Sequence, residues 1–290
     1  MENILFKLRT SSGKLESSVK VHDWGIELQK TYQYKIIDGA LLVEDVESLP
    51  QIPNGVKKLF CSENMALKSL PDLPEGLEYL DCSGTGLTSL PKLPDSLLWL
   101  DCSCTKITEI PILPKGLTNL NCVFCPLESL PALVEGLIRL NCGQDKVRSL
   151  PELPKTLQDL SICNSNITSL PELPKGLTHM TLWDTQLQTI PDLPEGLEVL
   201  TIRNNAALTV CPALPKGLMR FECYERKGWV LPEIPQGCQV LSNGLSCVKP
   251  QEIVPAPPQG CQVLSNSQEM GKLYEKRVRK VTPGGVVYYQ

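Results

Sequence analysis

The sequence predicts a β-rich solenoid in which short strands, one from each repeat, form a parallel concave sheet. Two observations predict this fold class. A Leu-Pro-x-Leu-Pro motif recurs along the chain, and its first proline returns at steps of 20 or 21 residues from Pro50 to Pro232 and once more at Pro255. Between these motifs, apolar residues occupy the same positions of each unit. A fixed period of this length is typical of repeat architectures, so the period outweighs any local pattern.

The unit that spans residues 77–91 shows the second part of the repeat. Its spacing of apolar residues matches the leucine-rich repeat consensus. The segment around Leu80 alternates between inward and outward positions, as a strand does. We therefore predict one strand per repeat. The apolar residues of this unit are Leu77, Leu80, Cys82, Leu87 and Leu90.

The prolines determine the path between the strands. Two prolines three residues apart, such as Pro71 and Pro74, remove amide donors and fix φ, so a helix is excluded there. We expect an extended convex side close to polyproline II, with few helices in the fold. A repeat of 20 residues lies at the short end of the leucine-rich repeat range, which agrees with a helix-free outer path.

The two ends depart from the repeat pattern and divide the chain. Residues 1–45 are predicted to form an N-terminal cap with a strand-like hairpin, because Asp38-Gly39 is a hairpin signal and the apolar run Ala40–Val43 follows it. Residues 46–245 are the leucine-rich repeats, 246–267 a degenerate terminal repeat and 268–290 a basic C-terminal tail. The tail contains a cluster of four basic residues. We expect the tail to be solvated, although this cluster also fits a localisation signal or a contact with an acidic surface. That cluster consists of Lys276, Arg277, Arg279 and Lys280.

Composition and charge exclude several function classes. The chain of 290 residues has 28 basic and 32 acidic side chains, and its net charge of −4 argues against a nucleic-acid partner. It contains no apolar run of the roughly 18 residues that a membrane-spanning helix needs, so we predict no membrane partner. The first residues lack the basic start and apolar stretch of a Sec-type signal peptide.

Six of the 13 cysteines fall in one column of the repeat. Because Ile162, Leu182 and Ile202 occupy the same column elsewhere, we predict that these cysteines are core residues in a reducing, cytoplasmic compartment. A zinc site at Cys122-x-x-Cys125 beside Cys102 is the alternative, but ligands that point into the core argue against it. We predict no metal and no cofactor. The column consists of Cys61, Cys82, Cys102, Cys122, Cys142 and Cys223.

The outward strand positions form the candidate site. Aromatic residues are only 5% of the chain, yet several of them lie on this face, and we expect Trp99 and Trp183 to be exposed there. Exposed Trp, Tyr and Arg dominate binding energy at protein interfaces, although large side chains that only cover the sheet are the alternative. The predicted partner-binding residues of the concave face are Phe60, Tyr79, Asp81, Trp99, Asp101, Arg139, Asp159, His179, Trp183, Arg203 and Tyr224.

Two groups on this face also admit a catalytic interpretation. Asp81 and Asp101 stack as like charges that suit a cation, a ligand Lys or Arg, or two solvated carboxylates. As an acid–base pair they lack the enclosed pocket that hydrolysis needs. Asp159 and His179 beside Cys163 superficially resemble a nucleophile system, but a charge ladder on a solvated sheet looks the same. We therefore predict no catalytic residues.

Two repeat units point to a known family. The segments SLPDLPEGLEYLDCSGTGLTSLP and SLPELPKGLTHMTLWDTQLQTIP resemble the LPX-type leucine-rich repeats of bacterial effectors. These include the Yersinia outer protein M group and the repeat domains of the invasion plasmid antigen H type of ubiquitin ligases. Those ligases carry a nucleophilic cysteine in a Cys-x-Asp motif, and this sequence contains no such motif. The resemblance therefore implies the repeat fold without the catalytic domain.

The fold and the resemblance together predict a protein–protein interaction scaffold and no enzyme activity, with host or cellular proteins as partners. The resemblance implies a type III-type effector that acts in the host cytosol through its concave face. One alternative is the substrate-recognition part of a ubiquitin ligase whose catalytic domain is absent or lies in another chain. Another is a non-secreted intracellular or viral leucine-rich repeat binding protein. Self-association through the repeat ends is a further expectation.

Overall fold

A computed structural model describes residues 33–37, 39–44, 46–143, 146–224, 232–241 and 263–264, with the backbone alone for 33–37, 224, 263 and 264. These residues form one 13-stranded sheet whose strands lie in chain order. β1 and β2 are antiparallel, and every later strand runs parallel to its predecessor. The strands are β1 (Gln33–Ile37), β2 (Ala40–Glu44), β3 (Lys58–Phe60), β4 (Tyr79–Asp81), β5 (Trp99–Asp101), β6 (Asn119–Val123), β7 (Arg139–Gly143), β8 (Asp159–Ser165), β9 (His179–Thr185), β10 (Val199–Arg203), β11 (Arg220–Tyr224), β12 (Gln239–Leu241) and β13 (Val263–Leu264).

The predicted hairpin is present as β1 and β2. Gly39 adopts a φ of 76° in the turn between them, which favours glycine. The backbone N–H groups of Lys57 and Lys58 both donate to the carbonyl of Gly39, so the hairpin is attached to the first repeat. The rest of the predicted cap and the basic tail lie outside the described residues. The domain boundaries stay predictions.

Each strand pairs with its neighbour at equivalent repeat positions. Tyr79 lies beside Trp99, Leu80 beside Leu100, and Asp81 beside Asp101. One side of the sheet therefore stacks leucine on leucine, and Leu80 and Leu100 are fully buried. This packing removes apolar surface from water in every layer and stabilises the stack. The predicted solenoid of about 20-residue repeats is thus confirmed, and no helix occurs among the described residues.

The predicted cysteine column lies in this core. Cys61, Cys82 and Cys102 are fully buried, and each Sγ donates to a carbonyl oxygen of the next strand at 3.4 to 3.6 Å. Burial raises the pKa of the Cys61 thiol to about 12, so the thiol stays protonated and donates a weak hydrogen bond. Cys223 departs from the prediction, because it is only half-buried while Phe221 of the same strand is fully buried.

The outer path turns back to the sheet at the second proline of each motif. The N–H of Leu77 donates to the carbonyl of Pro74 at 3.0 Å, and that of Leu97 donates to Pro94 at the same distance. These are tight four-residue turns. In two repeats a hydroxyl residue takes the usual glycine position, and Ser96 Oγ donates to the carbonyls of Glu75 and Leu77 at 2.6 and 2.7 Å. The turn therefore also ties each layer to the one before it.

A left-handed residue lies near the end of the strand or shortly after it in most repeats. Cys104 and Phe124 have φ values of 55° and 58°, in a region that costs non-glycine residues roughly 1–2 kcal/mol. This regularity was not predicted, because only one of these positions is a glycine. The left-handed positions are Glu63, Gly84, Cys104, Phe124, Asn164, Asp184 and Asn204.

The next position in the repeat carries the small polar residues that satisfy the turn. Asn205 Nδ2 donates to the carbonyls of Leu182 and Arg203 at 2.9 and 2.8 Å, and its Oδ1 accepts the N–H of Thr185 at 3.1 Å. Asn64 makes similar bonds in the first repeat. These side chains supply hydrogen-bond partners to backbone groups that the bend would otherwise leave unpaired.

Candidate functional site

The strand register brings the predicted site residues together on one face of the sheet. Residues two apart in a strand point to the same side, so each strand contributes two or three of these positions. Three parallel rows result, with neighbours about 4.8 Å apart along each row. The first row contains Tyr79, Trp99, Arg139, Asp159 and His179, the second Phe60, Asp81 and Asp101, and the third Trp183, Arg203 and Tyr224.

An aromatic ladder crosses the first three repeats. The rings of Phe60 and Tyr79 have centroids 5.0 Å apart at an interplanar angle of 37°. Tyr79 and Trp99 stack at 5.3 Å and 18°. This geometry is the offset arrangement that aromatic pairs prefer. The prediction that Trp99 is exposed is wrong, because stacking leaves it half-buried and its indole Nε1 is buried without an acceptor among the described residues.

Two carboxylates lie beside this ladder. Asp81 Oδ1 accepts from the backbone N–H and hydroxyl of Ser83 at 3.1 and 2.6 Å. Asp101 makes the equivalent bonds to Ser103, and Asn121 Nδ2 donates to its other oxygen at 2.8 Å. Burial raises the pKa of Asp81, and the negative charge of Asp101 raises it further against the lowering effect of the hydroxyls. The pair therefore holds concentrated negative charge in fixed orientations.

Arg139, Asp159 and His179 lie side by side in register, as predicted, on strands β7, β8 and β9. Burial raises the pKa of Asp159, while the charges of His179 and Arg139 lower it. Within the described ranges, Asp159 forms no ion pair at 4.0 Å or less. The three residues form a charged ladder on the sheet.

The same strands do not assemble a nucleophile system. Cys163 Sγ lies 3.6 Å from Ser161 Oγ, and burial raises the pKa of this thiol. His179 Nδ1 is bonded to the Thr178 hydroxyl at 2.9 Å. A thiol that keeps its proton is a poor nucleophile, and this histidine nitrogen is already engaged.

A buried ion-pair cluster marks the C-terminal repeats. Arg203 donates to Glu222 Oε2 at 2.7 Å, and Arg220 donates to Glu222 Oε1. The Glu222 side chain is 8% exposed, so one nearly buried carboxylate holds two guanidinium groups. Glu222 was not among the predicted site residues. Trp183 projects nearby with 42% exposure, whereas the side chain of Tyr224 lies outside the described residues.

Phe124 is an exposed apolar residue that sequence reasoning missed. It is 38% exposed, at the left-handed position directly after β6. Its signal in the sequence is weak, because Phe is uncommon at such a position.

The cysteines around Cys125 do not form a metal centre. Among the described residues, no three His, Cys, Asp or Glu side chains are grouped closely enough to hold a metal ion. Cys125 is buried, donates to the carbonyl of Cys102 at 3.0 Å and lies 3.2 Å from Thr105 Oγ1. A hydrogen bond with the Cys102 side chain, together with hydrogen bonds from Thr105, lowers the pKa of Cys125 to about 7 despite its burial. In the described part of the chain, no helix is long and apolar enough to cross a membrane.

Comparisons with known proteins identify similar folds. No family model matches the sequence, and no curated protein matches it significantly. The chain is similar to YopM from Yersinia enterocolitica WA-314, with 28% identity, a TM-score of 0.59 and coverage of 77% of this chain and 54% of that one. It is also similar to YopM, a leucine-rich effector protein from Yersinia pestis, with 29% identity, a TM-score of 0.56 and coverage of 63% and 60%. A Shigella effector leucine-rich repeat domain matches at 28% identity and a TM-score of 0.44, over 51% of this chain and 70% of that one.

The two YopM likenesses confirm the predicted resemblance to bacterial leucine-rich repeat effectors. They also agree with the solenoid of short repeats. The chain spans little more than half the length of the two YopM structures, at 54% and 60%.

Proposed function

We propose that this chain, which is built like the repeats of bacterial leucine-rich effectors, is a protein-interaction scaffold that binds partners through its concave face. The observation that carries the proposal is the aromatic ladder of Phe60, Tyr79 and Trp99 on an open sheet. Stacked rings lose little conformational entropy when a partner covers them. Exposed Trp183 beside Arg203 supplies a second anchor of the type that dominates interfaces.

We place its action in the cytosol of a host cell, as a type III-type effector. Two observations support this placement. The similar structures with the higher TM-scores are YopM proteins, one of them described as a leucine-rich effector protein. The described cysteines are thiols and not disulfides, which suits a reducing compartment. A fusion to a reporter that becomes active only in host cytosol tests delivery, and an equal signal from bacteria without a type III apparatus would contradict this route.

A pull-down from eukaryotic cytosol under reducing conditions tests the binding proposal. Wild type is compared with a Trp99→Ala/Trp183→Ala variant, and bound proteins are identified by mass spectrometry. We expect at least one protein that wild type captures and the variant loses. Circular dichroism and thermal unfolding establish that the variant is folded.

An outer-face variant is the matched control. Ile112 and Val210 are 91% and 71% exposed on the return path, so Ile112→Ala/Val210→Ala also removes two exposed apolar side chains. This control should retain the partner. Loss of the partner by the control and its retention by the tryptophan variant would place binding on the convex side and overturn the proposal.

The ligase-related alternative has its own test. If the chain is the recognition part of a ubiquitin ligase, a co-purifying chain should supply the catalytic cysteine. Ubiquitin discharge by the purified protein alone would contradict a binding-only role. Light scattering at increasing protein concentration tests self-association through the repeat ends.

A further inference from the structure

We propose that the end of the concave face formed by β3, β4 and β5 binds a linear protein segment through an arginine or lysine side chain. This inference rests on the proposed binding function and specifies the chemistry of the partner. The occupant is a basic segment whose charged group meets Asp81 and Asp101 while its methylene stem lies along the aromatic ladder.

The charge of this end is uncompensated within the described part of the chain. The ion pairs found there join Lys57 to Glu78, Lys146 to Glu128, and two arginines to Glu222, and none includes Asp81 or Asp101. The hydrogen bonds that the two carboxylates accept come from hydroxyl, amide and backbone N–H groups, which are neutral. A cation from a partner would therefore add the opposite charge that the fold itself does not provide.

The ladder is positioned to hold the apolar part of such a side chain. Tyr79 and Trp99 lie two residues before Asp81 and Asp101 in the same strands, so ring and carboxylate point to the same side, from Cα atoms about 7 Å apart. Arginine and lysine bury their methylene stems on apolar surface and keep the charged group at its edge. Offset stacking leaves part of each ring uncovered, which also allows a guanidinium to contact a ring face.

The charge distribution along the face directs a basic segment to this end. At the opposite end, Arg203 and Arg220 share the single carboxylate of Glu222, which leaves an excess of positive charge. At the near end, Lys57 is paired with Glu78 at 2.7 Å. Lys58 of β3 lies beside Tyr79 of β4 and two strands away from Trp99 of β5. The site is therefore centred on β4 and β5, where negative charge is in excess.

The unfavourable interaction between Asp81 and Asp101 in the unbound protein agrees with this role. Two like charges directly opposite each other on neighbouring strands are unfavourable. Burial and the charge of Asp101 both raise the pKa of Asp81, so ionisation of this group has a cost in the unbound protein. A bound cation would offset that cost and favour the ionised form of Asp81.

A random dodecapeptide library displayed on phage tests the proposal, with the full chain as bait. Enriched peptides are synthesised with a fluorescent label and titrated by fluorescence polarisation. The variant is Asp81→Asn/Asp101→Asn, which keeps the side-chain shape and the bonds from Ser83 and Ser103. The control is Glu75→Gln/Asp95→Asn, which removes two exposed carboxylates from the outer turns of the same repeats.

We expect enriched peptides to contain Arg or Lys and to bind the Asp81/Asp101 variant about tenfold or more weakly, because a charge-assisted contact is lost. The control variant should bind as wild type does. Replacement of the peptide's basic residue by glutamine should weaken binding to wild type and leave binding to the variant unchanged. Thermal unfolding establishes that both variants are folded.

Three results would overturn the proposal. These are enrichment of neutral or acidic peptides, equal affinity of wild type and the Asp81/Asp101 variant, and no enrichment at all. The proposed function fails separately. If wild type captures a cytosolic protein that Trp99→Ala/Trp183→Ala loses, the concave face binds protein even when the peptides show no preference for positive charge.

Discussion

Tyr79 and Trp99 stack across strands β4 and β5 with ring centroids 5.3 Å apart and an interplanar angle of 18°. The contact joins equivalent positions of consecutive repeats. It therefore packs one layer against the next and also forms part of the candidate binding surface. A ring that is fixed in the unbound protein loses little freedom on binding. The stacked ring therefore stabilises the layers and is preorganised for the proposed recognition, whereas Trp183 is 42% exposed.

Substitution of the two tryptophans should separate these roles. We expect Trp99→Ala to lower the free energy of unfolding by about 2 kcal/mol, because it removes a stacked, half-buried ring. Trp183→Ala should cost less, about 1 kcal/mol, since the side chain is 42% exposed. Urea unfolding of both variants measures the difference. Equal losses would show that the stacking contact contributes nothing beyond surface coverage.

Substitution of Asp81 should stabilise the protein at neutral pH. A carboxyl whose pKa is raised in the folded state binds its proton more tightly there than in the unfolded chain, so stability falls as pH rises through that raised pKa. Asp81→Asn keeps the bonds to Ser83 and removes the like-charge contact with Asp101. We expect a gain of about 0.5 kcal/mol at pH 7 that shrinks as the pH approaches 4.

Thermal unfolding of wild type and Asp81→Asn between pH 4 and pH 7 measures this gain. The outer-face substitution Asp95→Asn is the control, and it should show no such pH-dependent gain because its side chain is exposed. A variant less stable than wild type at pH 7 would mean that the carboxylate makes a net favourable interaction in the unbound protein.

The repeat period was sufficient to predict the register, and therefore which side chains share a row. Leu80 over Leu100 and Asp81 over Asp101 follow from a constant number of residues per turn. Periodicity did not predict how side chains of the exposed face contact one another. Trp99 was expected in solvent, but a neighbour one strand away in the same row allowed it to stack. Glu222 forms ion pairs with Arg203 and Arg220. These three residues lie in three different rows, so the pattern within one row does not predict the ion pairs.

Removal of the Glu222 charge should be costly. Glu222→Gln would leave Arg203 and Arg220 without their carboxylate at a site where the glutamate side chain is only 8% exposed. We expect a loss of about 2 kcal/mol, below the full value for a buried pair because both arginines are partly solvated. Glu128→Gln is the control, since its pair with Lys146 is mostly exposed and should contribute little. Chemical denaturation compares the two, and equal effects would contradict the structural role of this cluster.

Phe124 occupies a left-handed conformation that suits a smaller residue. At a φ of 58°, Phe124→Gly should be about 1 kcal/mol more stable than Phe124→Ala, because both lose the ring but glycine also relieves the backbone strain. Phe124→Ala keeps the Cβ and therefore the strain. Thermal unfolding of both variants measures the difference. If glycine is no more stable than alanine, the left-handed conformation is not strained at this position.

Gly143 should tolerate substitution less well than Gly176. It has a φ of 138°, and a Cβ at this position would lie 1.7 Å from the carbonyl oxygen of Cys163 on the next strand. Because that atom is backbone, the two strands would have to separate where β7 pairs with β8. We expect Gly143→Ala to lower the free energy of unfolding by about 3 kcal/mol or more.

At Gly176 the nearest atom to a new Cβ is 3.5 Å away, so Gly176→Ala is the control and should be nearly neutral. Urea unfolding compares them, and a stable Gly143→Ala protein would mean that the close approach of β7 and β8 is not required for the stack.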